Sequence, residues 1–163
     1  MRGTAEPVLA AAVARVRWLA DYLVIALIAI VVVVAAAVGG AALGIAGQDG
    51  DWDLMQDVLV TGGGQAVAAS VFLALTALVF VVAPRLTIVL GWSLVLLATT
   101  LGLFGPLFGM PEWLTNLSPV AVAPKVEGDD VDIAGLWWLL AATVGGAALA
   151  LGLMRRRELT PAS

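Results

Sequence analysis

An all-α integral membrane fold is what this sequence predicts: four transmembrane helices, both termini cytoplasmic, and a short interfacial helix in the outer loop between helices three and four. Three observations lead there. Of the 163 residues, 62% are hydrophobic and 12% charged, against roughly 45–50% and about 25% in a soluble domain. The charges are clumped and leave four windows with none. The basic residues, with one exception, fall at alternate ends of those windows. Cysteine and histidine are both absent, which removes disulfide frameworks, thiol catalysis, the usual zinc and haem sites and imidazole acid–base chemistry. The expectation is a protein that is not an enzyme and carries no cofactor.

The charge-free windows are Tyr22 to Gln48, Val58 to Pro84, Leu86 to Pro111 and Ile133 to Met154. Each is longer than the roughly 20 residues that cross a hydrocarbon core of about 30 Å. Allowing for their ends, the spans fall at about 22–46, 60–83, 86–107 and 133–154 of a single membrane domain, 1–163. Residues 1–21 precede them as a cytoplasmic segment, 108–132 form an outer loop and 155–163 a cytoplasmic tail. The first apolar run is far longer than the 7–15 residues typical of a signal-peptide core, so it reads as a retained helix.

Arginine and lysine set the orientation, because short basic loops stay in the cytoplasm. Arg2, Arg15, Arg17, Arg85, Arg155, Arg156 and Arg157 lie on one side with Glu6, Asp21 and Glu158, for a net +4. The other side holds Lys125 against Asp49, Asp51, Asp53, Asp57, Glu112, Glu127, Asp129, Asp130 and Asp132, for a net −8. The cell membrane, with both termini inside, follows. Aromatic rings that gather at headgroup depth agree: Trp18 and Tyr22 mark the inner end of the first helix, and Trp52, Trp113, Trp137 and Trp138 the outer boundaries. Trp92 falls about 10 Å into the third helix, counting the rise from Arg85, and is expected to pack on a neighbouring helix or the inner interface.

Within the spans, Gly40/Gly44 and Gly105/Gly109 form G-x-x-x-G pairs, and Gly145-Gly146-Ala147-Ala148 line the fourth helix. Small residues let helices approach closely in lipid, and an Ala- and Gly-rich chain also produces such patterns by chance. Hydroxyls in membrane helices commonly bond back to the preceding turn. Gln65, the one amide in a span, is the candidate polar residue of a pathway. None of the spans holds an ionisable group, whereas ion-coupled carriers place one near the midplane. Secondary transport by this chain alone is therefore disfavoured. Between helices three and four, Pro111, with Glu112 after it, suits the start of a short amphipathic helix that Pro119 stops after Ser118, followed by a polar linker, Lys125 to Asp132. Asn116-Leu117-Ser118 fits a glycosylation pattern, and the acids of this loop read as a solvated rim.

The stretch from Arg2-Gly3-Thr4-Ala5-Glu6-Pro7 to Arg15-Val16-Arg17-Trp18-Leu19 resembles the cytoplasmic segment that precedes a membrane helix in ABC-2-type permeases, most closely actinobacterial permeases described as polyketide-antibiotic exporters. Ala83-Pro84-Arg85 looks like the family's inner turn. The run Leu101-Gly102-Leu103-Phe104-Gly105-Pro106 to Pro111-Glu112-Trp113 and Leu117-Ser118-Pro119, then Ala123-Pro124, is similar to its most specific loop. Gly152 to Leu159 looks like its basic tail. Ala12 and Ala14 stand where the family has proline and serine. Family permeases are several times longer, so the likeness implies that these four spans are the last four of a six-helix unit, in a fragment, a split subunit or a truncated reading frame.

The resemblance implies a permease component of an ATP-driven exporter of hydrophobic or antibiotic-like compounds. Its partners would be a separate ABC ATPase subunit, the remaining permease helices or a second permease copy, and the lipid bilayer, with no nucleic acid. Glu6, Pro7, Arg15 and Arg17 would form the ATPase-coupling segment, with the two arginines also suited to lipid headgroups. Pro106, Pro111, Trp113, Ser118 and Pro119 would belong to the outer-loop helix capping the pathway. The chain has no G-x-x-x-x-G-K-[ST] phosphate loop, so any ATP hydrolysis belongs to a partner. The competing reading is a small four-helix membrane scaffold or assembly protein that transports nothing. A four-helix antiporter would need the membrane carboxylate that is missing.

Overall fold

In lipid a backbone N–H or C=O has no water to bond, so segments as apolar as the four windows satisfy their polar groups internally as helices. The computed structural model describes residues 5–47, 50, 52–127 and 130–158, and for residues 5–14, 125, 127, 130, 157 and 158 the backbone only. The elements are α1 (Ala5–Gly47), α2 (Leu54–Val82), α3 (Thr87–Phe104), α4 (Glu112–Thr115), β1 (Lys125–Glu127), β2 (Asp130–Asp132) and α5 (Ala134–Glu158). Four stretches are long and apolar enough to cross a membrane: Arg15–Gly47, Leu54–Val82, Pro84–Phe104 and Ala134–Arg156. They match the four expected spans in number and order.

α1 runs unbroken for 43 residues, roughly 64 Å at 1.5 Å per residue, about twice the hydrocarbon thickness. The segment expected ahead of the first span is thus built as a continuation of its helix. Pro7 is tolerated because it falls in the first turn, where an N–H has no intrahelical partner to lose. α2 ends at Ala83, held out of the helical region (φ −139°, ψ 71°) by the proline that follows it. A 3₁₀ turn, Pro84–Leu86, starts the return, and the Thr87 hydroxyl donates to the Pro84 carbonyl at 3.0 Å.

α2 is the central helix. Its buried face is Gly64, Ala68, Ser70, Val71, Ala74, Ala77 and Val81, and Gly146 of α5 sits so close that a Cβ there would lie 3.1 Å from that of Ala74. One cluster joins Leu19, Ala77, Val81 and Ala150. A second, towards the other end, joins Ala68, Val71, Ala123 and Leu139. The first cluster brings the start of the α1 span, the end of α2 and the end of α5 together, so Arg15, Arg17, Arg85, Arg155 and Arg156 share one end of the bundle. Asp53, Asp57, Glu112 and Asp132 occupy the other. Arg2, Asp49, Asp51 and Asp129 lie outside the described residues.

The connection from Gly105 to Pro124 departs most from expectation. A 3₁₀ turn, Pro106–Phe108, ends on Gly109 in the left-handed region (φ 65°), where only glycine is unstrained. The helix expected from Pro111 to Ser118 is one turn, Glu112–Thr115, with Pro111 extended before it (ψ 144°). It stops early because Ser118 turns inward to bond α3. Thr115, Ser118, Pro119, Ala123 and Pro124 are buried, so these residues of the strap are set into the bundle. The linker that follows forms an antiparallel ribbon pairing Lys125 with Asp132 and Glu127 with Asp130. Asp132 Oδ1 then accepts the Ala134 N–H at 2.9 Å at the start of α5. Trp92 is 66% exposed. Gly40 and Gly44 face open space, with nothing within 4 Å of an added Cβ.

A Cβ at Gly64 would lie 2.6 Å from the Pro124 carbonyl oxygen. Gly64→Val is expected to lower stability by about 1–3 kcal/mol, the usual range for overpacking, as read from thermal unfolding in detergent. Gly44→Ala should leave stability unchanged or raise it by up to about 1 kcal/mol, since alanine is the better helix former.

Candidate functional site

α3 and α5 both lean on α2 and leave a cleft of about 300 Å³ between them. Val71, Phe72 and Leu75 of α2 form its back, Leu94, Leu97 and Leu101 of α3 one wall, and Trp138 and Leu139 of α5 the other. Asn116 to Pro119 and Val122 of the strap close one end, and among the described residues no charged side chain lines it. Such a space suits an apolar solute with few polar groups.

What keeps the strap in place is a set of close approaches, one on each of three helices. Ser118 is 1% exposed. Its hydroxyl donates to the Ala98 carbonyl oxygen of α3 at 2.7 Å and accepts the Val120 N–H at 3.2 Å. Gly102, one turn beyond Ala98, makes this possible: a Cβ there would be 2.8 Å from the Ser118 oxygen. Gly64 gives Pro124 the same room on α2, and Gly135 of α5 lies against the Val122 carbonyl with no space for a Cβ. Buried irregular backbone is tolerated where protein groups meet its polar atoms, and Ser118 supplies two such bonds.

Three further hydroxyls besides that of Thr87 bond back to the preceding turn. Ser70 donates to the Ala66 carbonyl at 2.8 Å, Thr143 to Leu139 at 2.9 Å and Thr115 to Glu112 at 3.0 Å. Among the described residues lining the cleft, Asn116 has a polar side chain that bonds no protein group. Its amide, exposed at the mouth, offers one acceptor and two donors to a ligand.

The residues singled out from sequence are distributed unevenly around this site. Ser118 and Pro119 form its roof, whereas Pro106, Pro111 and Trp113 are exposed on the outer surface of the strap. Gln65 is exposed on α2 beside Gly64 and does not line the cleft. Glu6 and Pro7 fall in the first turns of α1, with side chains outside the description. Arg15 and Arg17 are exposed at the basic end, and the 100° step per residue puts them on different sides of α1. Asn116, Gly64 and Gly102 were not singled out. Gly64 begins a series with Ala68, Val71, Ala74, Ala77 and Val81 at intervals of three and four, a stripe readable in principle but hidden by the equally small and apolar residues around it.

Residues 1–157 match the family described as the C-terminal domain of the multidrug efflux system permease Rv1217c. The chain belongs to this family. It is 37% identical over 158 residues to the multidrug efflux system permease protein Rv1217c of Mycobacterium tuberculosis, an alignment covering 94% of this chain and 28% of that protein. The chain thus spans little more than a quarter of the relative's length. No solved structure is significantly similar to it. This is a family of efflux-transporter permeases and not of enzymes, and a multi-pass membrane protein agrees with four helices long and apolar enough to span. The likeness to the C-terminal part of a longer permease is therefore established, and the strap and cleft described above are features of a permease domain.

Ser118→Ala removes the bond between the strap and α3. The expected loss is about 1 kcal/mol, within the range for interhelical hydrogen bonds in membranes, measured by denaturation in mixed micelles. Hydrogen exchange at the Val120 amide should quicken at the same time.

Proposed function

We propose that the chain is the C-terminal part of an ABC-2-type export permease, and that the cleft between α3 and α5 is part of the route for hydrophobic or antibiotic-like compounds. The observation that carries this reading is the cleft itself, apolar on three sides, uncharged, and roofed by a strap pinned to α2, α3 and α5. Membership in an efflux-permease family supports it. Asn116 supplies a hydrogen bond at the mouth, and Gln65, on the outer half of α2, meets the compound after it leaves. Both termini and the basic end are cytoplasmic, Pro106 to Pro119 lie on the outer side, and α4 rests at the interface through Trp113, a ring suited to headgroup depth.

Energy comes from a separate ABC ATPase, with the remaining permease helices or a second permease copy completing the pathway. Closure of the ATPase has to reach the cleft mechanically. Glu6, Pro7 and Arg17 are the coupling contacts: Glu6 and Arg17 are eleven residues apart on one unbroken helix, three turns, and so share a face. Because α1 continues without interruption into its span and packs along α2, a tilt of its inner end moves the helix on which both cleft walls stand.

Two experiments test this. In cells carrying the complete permease and its ATPase, Ala142→Phe, which fills the cleft, and Asn116→Ala should each reduce ATP-dependent efflux of a hydrophobic dye such as Hoechst 33342, by about fivefold or more for the former, at unchanged expression. Efflux indifferent to Ala142→Phe removes the route, and efflux indifferent to loss of this whole segment favours the scaffold. Glu6→Arg and Arg17→Glu should lower recovery of the ATPase in pull-downs. For orientation, a membrane-impermeant thiol reagent applied from outside should label Asp129→Cys and spare Arg157→Cys. The reverse pattern inverts the topology.

A further inference from the structure

At the basic end of the bundle, a second groove of about 300 Å³ lies between α1 and α3 across the face of α2. Trp18, Tyr22 and Leu23 form one side, Phe80 and Thr76 of α2 the floor, and Thr87 the start of the other side. Trp18 bridges the helices, its ring centroid 4.4 Å from that of Tyr22 and 5.9 Å from that of Phe80. Both Trp18 and Tyr22 stay about half exposed, at 47% and 57%, as amphipathic rings do at headgroup depth. The Thr87 hydroxyl is already bonded to the backbone, and apart from the hydroxyls of Tyr22 and Thr76 the rest of the described lining is apolar.

The charges at its mouth are of one sign. Arg15 is one turn before Trp18 and Leu19 and shares the groove-facing side of α1 with Trp18, Tyr22 and Ala26, by the 100° step. Arg85 precedes Thr87 by two residues on the opposite side of the groove. Both arginines are exposed and lie just beyond the lining, and among the described residues no acidic side chain lines the groove. Asp21, the nearest acid on α1, falls roughly 130° round the helix from the groove-facing side. An apolar slot with an aromatic rim and a cation on each side of its mouth complements an amphiphile of one kind: an apolar chain under a negatively charged head.

We propose that this groove binds one anionic phospholipid, with an acyl chain along Leu23 and Phe80 and the phosphate between Arg15 and Arg85. The proposal requires that the basic end lie at a membrane surface, and it stands apart from the transport reading, since it needs neither a substrate nor an ATPase. Basic groups between membrane helices attract anionic headgroups in this way. Two such arginines should favour phosphatidylglycerol over phosphatidylcholine by roughly thirtyfold.

The test is native mass spectrometry of the full chain in a mild detergent with equal amounts of the two lipids. The wild type should retain one phosphatidylglycerol in preference to phosphatidylcholine. The Arg15→Gln/Arg85→Gln double variant should bring the preference down to about twofold or less, Arg15→Lys/Arg85→Lys should largely restore it, and Arg155→Gln, on a helix that does not line the groove, should leave it intact. Ala26→Phe, filling the slot, should lower retention of both lipids, with circular dichroism and elution volume unchanged as the check on folding. Equal retention of the two lipids by the wild type, as expected if a neighbouring helix or second copy occupies the groove, overturns the proposal. So does a preference that survives the double glutamine variant, or full retention in Ala26→Phe. Failure here leaves the dye-efflux and thiol-labelling results unaffected, so the two readings fall separately.

Discussion

Lipid tails are as apolar as leucine, so burial alone cannot hold α1, α5 and the strap against α2, and only close van der Waals contact and a few polar bonds can. The stripe Gly64, Ala68, Ala74 and Ala77 provides that contact. Gly64 takes the Pro124 backbone, Ala68 joins Ala123 and Leu139, Ala74 meets Gly146, and Ala77 packs with Leu19 and Ala150. A larger side chain at any of these points would push a partner away. Because α2 also carries the back of the cleft and the floor of the groove, the spacing of these small residues determines the geometry of both cavities.

The strap illustrates how irregular backbone is stabilised inside a membrane protein. Its turns place Ser118 where one hydroxyl meets an α3 carbonyl and a strap N–H together, and three glycines supply the room. The arrangement leaves one end of the cleft closed by buried, satisfied groups, while Asn116 beside it keeps a side chain available at the mouth. The buried Ser118 and the exposed Asn116 amide thus lie two residues apart on one segment.

The two cavities differ in what surrounds them. Among the described residues no charged side chain lines the cleft, which sits beneath the strap, whereas the groove lies at the basic end of the bundle, with Arg15 and Arg85 next to its lining in the chain. α1 spans the distance between them as one helix and extends well beyond the basic end. A lipid held at Arg15 would brace α1 against α2 beside Arg17 and the extension that carries Glu6, so the groove lies close to the point at which a force on α1 enters the bundle.

Four spans, their order and the segregation of charge to two ends were all legible in the sequence, because an ionised side chain in hydrocarbon is costly enough to mark a boundary by its presence alone. The family was legible too, through ordered motifs such as Leu117-Ser118-Pro119 and Ala83-Pro84-Arg85. Which glycines matter was not. Gly40 and Gly44 have the more familiar spacing yet face open space, while Gly64, Gly102 and Gly135 are pressed against the strap, and composition gives all of them the same appearance. The extent of the loop helix and the role of Asn116 were hidden for a related reason. Hydropathy reports how strongly a residue prefers lipid, but every face of these helices prefers it, so periodicity carries little information about which face meets a neighbour. The sequence alone determined that the chain holds four segments long and apolar enough to cross a membrane; which residues touch, and hence where the cavities lie, was decided by side-chain size and backbone approach in the tertiary structure.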